Sequence, residues 1–330
     1  MPKLPKIKIL ATGGTIAGSA ADATEMTGYQ AGALGVETLI AAVPQLRQYA
    51  DIIGEQVSDI DSCNMTEAIW FKLVTSIEQA FAQGADGVVI THGTDTMEET
   101  AYFLNLVIKS AKPVVFVGSM RPATAISADG PLNLLNAVRL AASTEAMGKG
   151  VLVAMNDEIH AARDVSKTNT ANVATFKTPE MGLLGYFCNG IPKFYRLPMR
   201  KHTIHSEFSL ENITELPQVE IIYAHAGQKS LLLECAVTSG VKGIVYAGMG
   251  NGSIHVEAEK VLLAAAKQRI IVVRSSRSGS GCVVAANPVW EEAGFIKSDT
   301  LNPQKARVLL ALALTKTSNP SEIQNIFDIY

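Results

Sequence analysis

The chain has 330 residues, 48% of them hydrophobic and 18% charged, with a formal net charge of −3. This mildly acidic balance is that of a soluble globular protein and lacks the basic footprint of a nucleic-acid binder. No apolar run is long enough to cross a membrane, and the length predicts two domains, because single cores stop growing at about 250–300 residues.

The opening Met1-Pro2-Lys3-Leu4-Pro5-Lys6 is basic, but only a short strand-like run follows it. No signal peptide is visible, which leaves the cytoplasm and, after removal of a leader, the periplasm both open. The first predicted strand, Ile7–Thr12, runs into Ala11-Thr12-Gly13-Gly14-Thr15-Ile16-Ala17-Gly18. Paired glycines let a backbone turn sharply and approach a ligand. No Gly-Lys-Ser/Thr follows, so this is not a P-loop, and Thr15 stands where a dinucleotide fingerprint needs its second glycine. A hydroxyl beside a glycine pair is a candidate nucleophile, and a plain strand-to-loop turn explains the same residues equally well.

Ile69, Leu73, Ile77 and Phe81 recur at helical spacing. The apolar run Val88–Thr91 predicts the next strand, leading to Thr91-His92-Gly93-Thr94-Asp95-Thr96 and a helix through Met97, Ala101, Leu104 and Ile108. Asp95 and Glu98 have the spacing of a capping arrangement. A helix start also binds anions, so a substrate carboxylate or an oxyanion suits the same place. His92 reads as a hydrogen-bonded structural histidine. Val114–Val117 and Val151–Met155 are further strands. After the latter, Asn156–Lys167 is dense in ionisable groups that composition assigns to a solvated loop; a buried lysine among them could act as a base.

The alternation breaks at Arg196–Gln218, where Pro198, Arg200, Lys201, His202, His205 and Pro217 fall together. The expected division is an N-terminal domain over 1–196, a linker over 197–217 and a C-terminal domain over 218–330. Strands at Ile221–Ala224, Ile244–Ala247 and Ile270–Arg274, with helices at Leu231–Thr238, Val256–Lys267 and Gln304–Leu314, resume the pattern. Short apolar strands alternating with amphipathic helices predict an α/β fold: a larger, parallel-sheet-dominated N-terminal domain with helices on both faces, and a smaller C-terminal α/β domain. The loops Gly248-Met249-Gly250-Asn251-Gly252 and Ser275–Gly281 are rich enough in glycine to cradle a phosphate, which keeps nucleotide binding open as an alternative. Cys63, Cys188, Cys235 and Cys282 lie far apart with no CxxC pair, so neither a zinc site nor a disulfide framework is indicated, and reduced, mostly buried thiols are expected, with Cys63 the exception.

Taken in order, Ile9–Gly18, Val89–Glu99, Met120-Arg121-Pro122, Ser127-Ala128-Asp129-Gly130-Pro131, Met155-Asn156-Asp157 and Leu301–Arg307 resemble the bacterial L-asparaginase family along nearly the whole chain. The resemblance implies a cofactor-free and metal-free amidohydrolase that converts L-asparagine to L-aspartate and ammonia through a threonine acyl-enzyme. Thr15 matches the primary nucleophile and Tyr29 a mobile-loop tyrosine that assists it. Thr94, Asp95 and Lys167 match a second hydroxyl, a carboxylate and a lysine arranged like a triad. Ser62 and Asp95 match residues that grip the α-carboxylate and α-amine of the substrate, and Asn251 matches a residue contributed by the neighbouring subunit of a homotetramer built from intimate dimers.

The chain departs from the family pattern at Cys63, where Gln or Glu is usual, and in the loop Gly281–Pro288, whose nearest acids are Glu291 and Glu292. Both changes touch recognition of the substrate amine, and weak activity on glutamine is expected. The alternatives are a broad glutaminase–asparaginase, the asparaginase-like subunit of a tRNA amidotransferase, and a two-domain amino-acid-binding protein without catalysis.

Overall fold

The computed structural model describes residues 3–25 and 30–330. Tyr29, the expected assistant of Thr15, lies outside the described residues. The chain divides into two compact units, residues 1–209 and 210–330.

The first unit is built on an eight-stranded sheet. Its strands are β1 (Lys6–Gly13), β2 (Asp51–Ile60), β3 (Gly87–Thr91), β4 (Val114–Val117), β5 (Val151–Met155) and β6 (Glu158–Ala161). A small ribbon, β7 (Ser166–Lys167) with β8 (Phe176–Lys177), precedes β9 (Gly185–Cys188) and β10 (Ile191–Phe194). The order is β10-β9-β6-β5-β4-β3-β1-β2. From β2 to β5 neighbouring strands run parallel, and β6, β9 and β10 extend the sheet antiparallel.

Helices α1 (Val36–Ala42), α2 (Glu67–Ala82), α3 (Met97–Val107) and α4 (Gly130–Ala141) cover the sheet. Strand side chains alternate between faces. Ile7, Ile9, Val89, Val115 and Val117 point to the face packed by Leu39 and Ile40 of α1 and Leu134, Ala137 and Val138 of α4. On the opposite face α2 and α3 pack together, with Trp70 stacked 4.6 Å from Phe103 and its Nε1 donating to Thr100 Oγ1 at 2.9 Å. Strands buried on both faces are continuous apolar runs, each full aliphatic side chain contributing about 1.5–3 kcal/mol on burial.

Asn156–Lys167 is not a solvated loop. Asn156 and Asp157, at φ 51° and 60°, form the tight turn of a hairpin that returns the chain antiparallel along β5 as β6. His160 and Arg163 are buried, and the return brings Lys167 back toward the ends of the parallel strands. The four cysteines are also not buried: all are exposed and none is in a disulfide. Cys188 takes an outward position in the alternating β9, whose burial pattern puts Gly185 and Phe187 inside instead.

The segment that interrupts the sequence pattern continues on the first unit as far as its end. His202, Thr203, Ser206 and Phe208 are buried there, and Lys109 Nζ donates to the Ser206 carbonyl.

The second unit has a four-stranded parallel sheet: β11 (Val219–Tyr223), β12 (Gly243–Gly248), β13 (Ile271–Ser276) and β14 (Ile296–Lys297). Its helices are α5 (Leu231–Thr238), α6 (Val256–Lys267), α7 (Pro288–Glu292), α8 (Pro303–Leu314) and α9 (Pro320–Ile329). Asn302 and Asn319 cap α8 and α9, each followed by proline, whose missing N–H costs nothing at a helix start.

Candidate active site

In open parallel sheets, ligands bind beyond the carboxyl ends of the strands where the strand order reverses. Here the chain goes from β1 outward to β2 and then back across to β3, so the reversal lies between β1 and β3. Two loops leave the sheet there, Thr12–Gly18 after β1 and His92–Thr96 after β3.

The two loops touch backbone to backbone. A Cβ on Gly14 would stand 2.3 Å from Gly93 Cα, and one on Gly93 would stand 2.5 Å from Ser62 Oγ. Gly14 also has φ 77°, and Gly13, at 97°, would drive a Cβ to 2.4 Å from the Ile60 carbonyl oxygen. Only glycine permits this geometry. Each hydroxyl residue, Thr15 and Thr94, directly follows one of the touching glycines, so the fold brings the two loops together. Thr15 is buried and opens a single turn of 3₁₀ helix, Thr15–Ala17.

Ser62 follows β2 and is buried. Its Oγ accepts from the Asp95 N–H at 3.2 Å, and its carbonyl accepts from Thr96 Oγ1 at 2.8 Å. Lys167 Nζ lies 2.9 Å from Thr94 Oγ1 and 2.5 Å from Asp95 Oδ1. Asp95 is therefore not a helix cap: Thr96 holds the N-cap position of α3 without a side-chain bond, and the Asp95 carboxylate turns to Lys167. The Lys167 side chain is only 16% exposed against 56% for Asp95, so the ammonium end is shielded while the carboxylate reaches solvent.

His92 is buried, its Nδ1 donating to the Gly93 carbonyl at 2.7 Å beside the Phe116 ring. Desolvation pushes its pKa down to about 4, partly offset by that bond. It supports the Gly93 turn and is neutral at pH 7.

Cys63 sits in the turn Ser62–Asn64, exposed beside Ser62. Asn251 belongs to the second unit. Its Oδ1 accepts from the Val284 N–H at 2.8 Å, and its carbonyl accepts from Arg274 at 2.9 Å. The fully buried Arg274 also bonds the Val284 carbonyl, stacks 4.7 Å from Trp290 and faces Glu291 at 3.4 Å. Glu291 is thus engaged by Arg274 and by Lys297. The glycines of Gly248–Gly252 serve a tight turn, since a Cβ on Gly248 would lie 2.5 Å from Gly252 C. Sequence reasoning passed over Arg274; its one signal was a cation inside an apolar strand. Among the described residues, no group of three or more His, Cys, Asp or Glu side chains is placed to hold a metal ion.

The structure thus joins Ser62, Thr94, Asp95 and Lys167 by hydrogen bonds and ties the Thr15 loop to them through Gly14 and Gly93. Hydroxyls, a shielded amine and an accessible carboxylate in one place suit acyl transfer.

Comparison with known proteins gives consistent matches. The family model described as "Asparaginase, N-terminal" matches residues 6–200, and "Glutaminase/Asparaginase C-terminal domain" matches residues 218–327. The chain is 53% identical to "L-asparaginase 2" of Bacillus subtilis (strain 168), covering 99% of this chain and 87% of that one. It is 51% identical to "L-asparaginase 2" of Escherichia coli (strain K12), covering 99% and 94%. It is 46% identical to "Glutaminase-asparaginase" of Pseudomonas fluorescens biotype A, covering 98% and 90%. The crystal structure of a "Probable Cytoplasmic L-asparaginase" from Campylobacter jejuni superimposes with a TM-score of 0.97 at 53% identity, covering 99% and 100%.

Proposed function

This chain belongs to the asparaginase family, and from that premise we propose that it hydrolyses L-asparagine to L-aspartate and ammonia through an acyl-enzyme on Thr15. The observation that carries the catalytic assignment is the bridge made by Lys167 Nζ between Thr94 Oγ1 and Asp95 Oδ1.

A threonine hydroxyl attacks only as its proton is taken. Thr15 Oγ1 adds to the side-chain amide carbon while its proton passes to the Tyr29 hydroxyl, which releases its own proton toward the amide nitrogen. The C–N bond then breaks, the nitrogen leaves as ammonia with that proton, and an aspartyl ester remains on Thr15. Water cleaves the ester and returns the threonine. As an ammonium, Lys167 donates to both neighbours. Its place between the two lets protons move along the Thr94–Lys167–Asp95 bridge during the reaction. The start of α3 adds the positive end of a helix dipole where the oxyanion develops. One well-aimed oxyanion donor is worth about 2.7–4 kcal/mol.

Ser62 and Asp95 are assigned to the substrate's backbone groups. Ser62 Oγ accepts from Asp95 N–H, which leaves its own O–H to donate to the α-carboxylate. The accessible Asp95 carboxylate attracts the α-ammonium. Cys63 flanks the same groups. Asn251 is assigned to the site of a neighbouring subunit in a homotetramer of intimate dimers.

The test is ammonia release from L-asparagine by the purified protein, with Thr15→Ala beside it. Release that vanishes in the variant supports the assignment; unchanged release from Thr15→Ala refutes it. A broad glutaminase–asparaginase, the name carried by a 46%-identical relative, is the second reading. Equal kcat/KM for asparagine and glutamine would establish it.

A further inference from the structure

The segments Met120-Arg121-Pro122 and Ser127-Ala128-Asp129 belong to the loop between β4 and α4, Gly130 and Pro131 begin that helix, and the chemistry above assigns them no part. The loop is closed on itself by side chains. Asp129 occupies the N-cap position of α4, but its side chain makes no capping bond to the backbone of that helix. Its carboxylate instead accepts from Met120 N–H at 2.9 Å, Arg121 N–H at 3.0 Å and Asn133 Nδ2 at 3.2 Å. Arg121 Nη1 reaches the Ser127 carbonyl at 2.8 Å, and Ser119 Oγ the Arg121 carbonyl at 2.7 Å.

From this loop three hydrogen bonds cross to the chain that continues from Thr15. Ala123 N–H donates to the Gly18 carbonyl at 3.0 Å, Ala20 N–H to Thr124 Oγ1 at 2.9 Å, and Ile126 N–H to the Ala23 carbonyl at 3.0 Å. On its other side the same stretch bonds inward: Gly18 N–H to the Thr15 carbonyl at 2.8 Å, and Ser19 N–H to the Gln30 carbonyl at 3.1 Å. Ala21, Asp22, Ala23 and Thr24 are exposed, so none of these four residues anchors the arm by burial. A further link runs through the start of α4, where a Cβ on Gly130 would stand 3.1 Å from Ile16 Cγ1, the side chain next to Thr15.

We propose that the β4–α4 loop is a clamp that positions the nucleophile loop, with Thr124 as its contact point and Asp129 as its anchor. Thr124 and Asp129 are positioning residues; neither touches the reacting atoms. Orientation is the reason for such a device, because a displacement of about 1 Å can cost on the order of 100-fold in rate. The inference rests on Thr15 being the nucleophile.

The test uses the full-length protein as Thr124→Val, Thr124→Ser and Asp129→Asn. Thr124 is exposed, so the valine variant removes one acceptor without disturbing the core. The expected result is a fall in asparagine kcat of about tenfold for Thr124→Val at unchanged Tm, with Thr124→Ser restoring it. Asp129→Asn turns one acceptor into a donor facing a backbone N–H and should act more strongly. Hydrogen exchange at the Gly18 and Ser19 amides, which bond to Thr15 and Gln30 rather than to Thr124, should accelerate in Thr124→Val. That measurement reads the clamp even if the wild type releases no ammonia, an outcome that would sink the asparaginase reading instead. Wild-type exchange in Thr124→Val, or wild-type kcat despite faster exchange, overturns the clamp and leaves the asparaginase reading standing.

Discussion

Gly14 and Gly93 meet backbone to backbone, with room for no Cβ on either. That contact lets two loops from strands adjacent in space, and far apart in sequence, bring Thr15 and Thr94 into one site. Gly14→Ala is expected to destabilise the fold by about 3 kcal/mol, combining a left-handed alanine with overpacking. It should also abolish turnover. Urea unfolding and an ammonia assay check both; a fully active, equally stable variant would refute the tight-contact account.

Lys167→Met removes the amine while keeping the length of the side chain. Because Asp95 is more than half exposed, losing its partner should cost at most about 1 kcal/mol of stability. Activity should fall by about 10²–10⁴, the range for a lost acid–base group. A variant that keeps most of its kcat would exclude Lys167 from proton transfer.

The acid limb of the stability curve should carry the signature of His92. Its folded pKa, about 4, lies below the ordinary histidine value of 6.5, so between these values the unfolded chain binds a proton that the folded chain refuses. Stability is therefore unaffected above pH 6.5 and falls as pH drops toward 4, by about 3 kcal/mol from this group. His202, also lowered by burial and by its neighbour His205, adds in the same direction. His92→Asn keeps a donor near the Gly93 carbonyl and removes the titration. Denaturant unfolding from pH 7 to pH 4 should then show a shallower fall; an unchanged slope would mean that His92 does not report.

Cys63 offers a weak hydrogen-bonding partner where the resemblance to the family implies Gln or Glu. Hydrogen bonds to charged groups are worth about 1.5–3 kcal/mol, so Cys63→Gln should lower KM for asparagine by about tenfold and raise glutamine turnover. Steady-state kinetics on both amides decides. No change in either would place the thiol outside the amine subsite.

Asn251, if it serves a neighbouring subunit, allows a complementation test. Thr15→Ala and Asn251→Ala should each be nearly inactive alone. After dissociation, mixing and reassembly, hybrids holding one wild-type site should regain activity. A mixture no more active than its parents would contradict a site shared between subunits.

Much of the fold was legible because its central strands are buried on both faces and read as apolar runs. Val114–Val117 and Val151–Met155 have the expected limits. The long β2 was not legible: as an outer strand it mixes Asp51, Glu55, Gln56 and Asp59 with its apolar residues. Nor were β6, β9 and β10, whose short antiparallel pairing depends on neighbours rather than on local pattern. The cysteines were misjudged because burial is set by the face a side chain takes, and residue type alone does not fix that face.

The sequence by itself determined the chemistry on offer: which hydroxyls, carboxylates and amines follow which strands, and where glycine frees the backbone to turn. Those are local properties, carried by residue type and a few neighbours. Only the tertiary structure decided which of them meet. Lys167 stands 72 residues from Asp95 in the chain, and the β5–β6 hairpin carries it back to within 2.5 Å. Distances of that kind are set by sheet order and strand pairing, which depend on the packing of the whole unit.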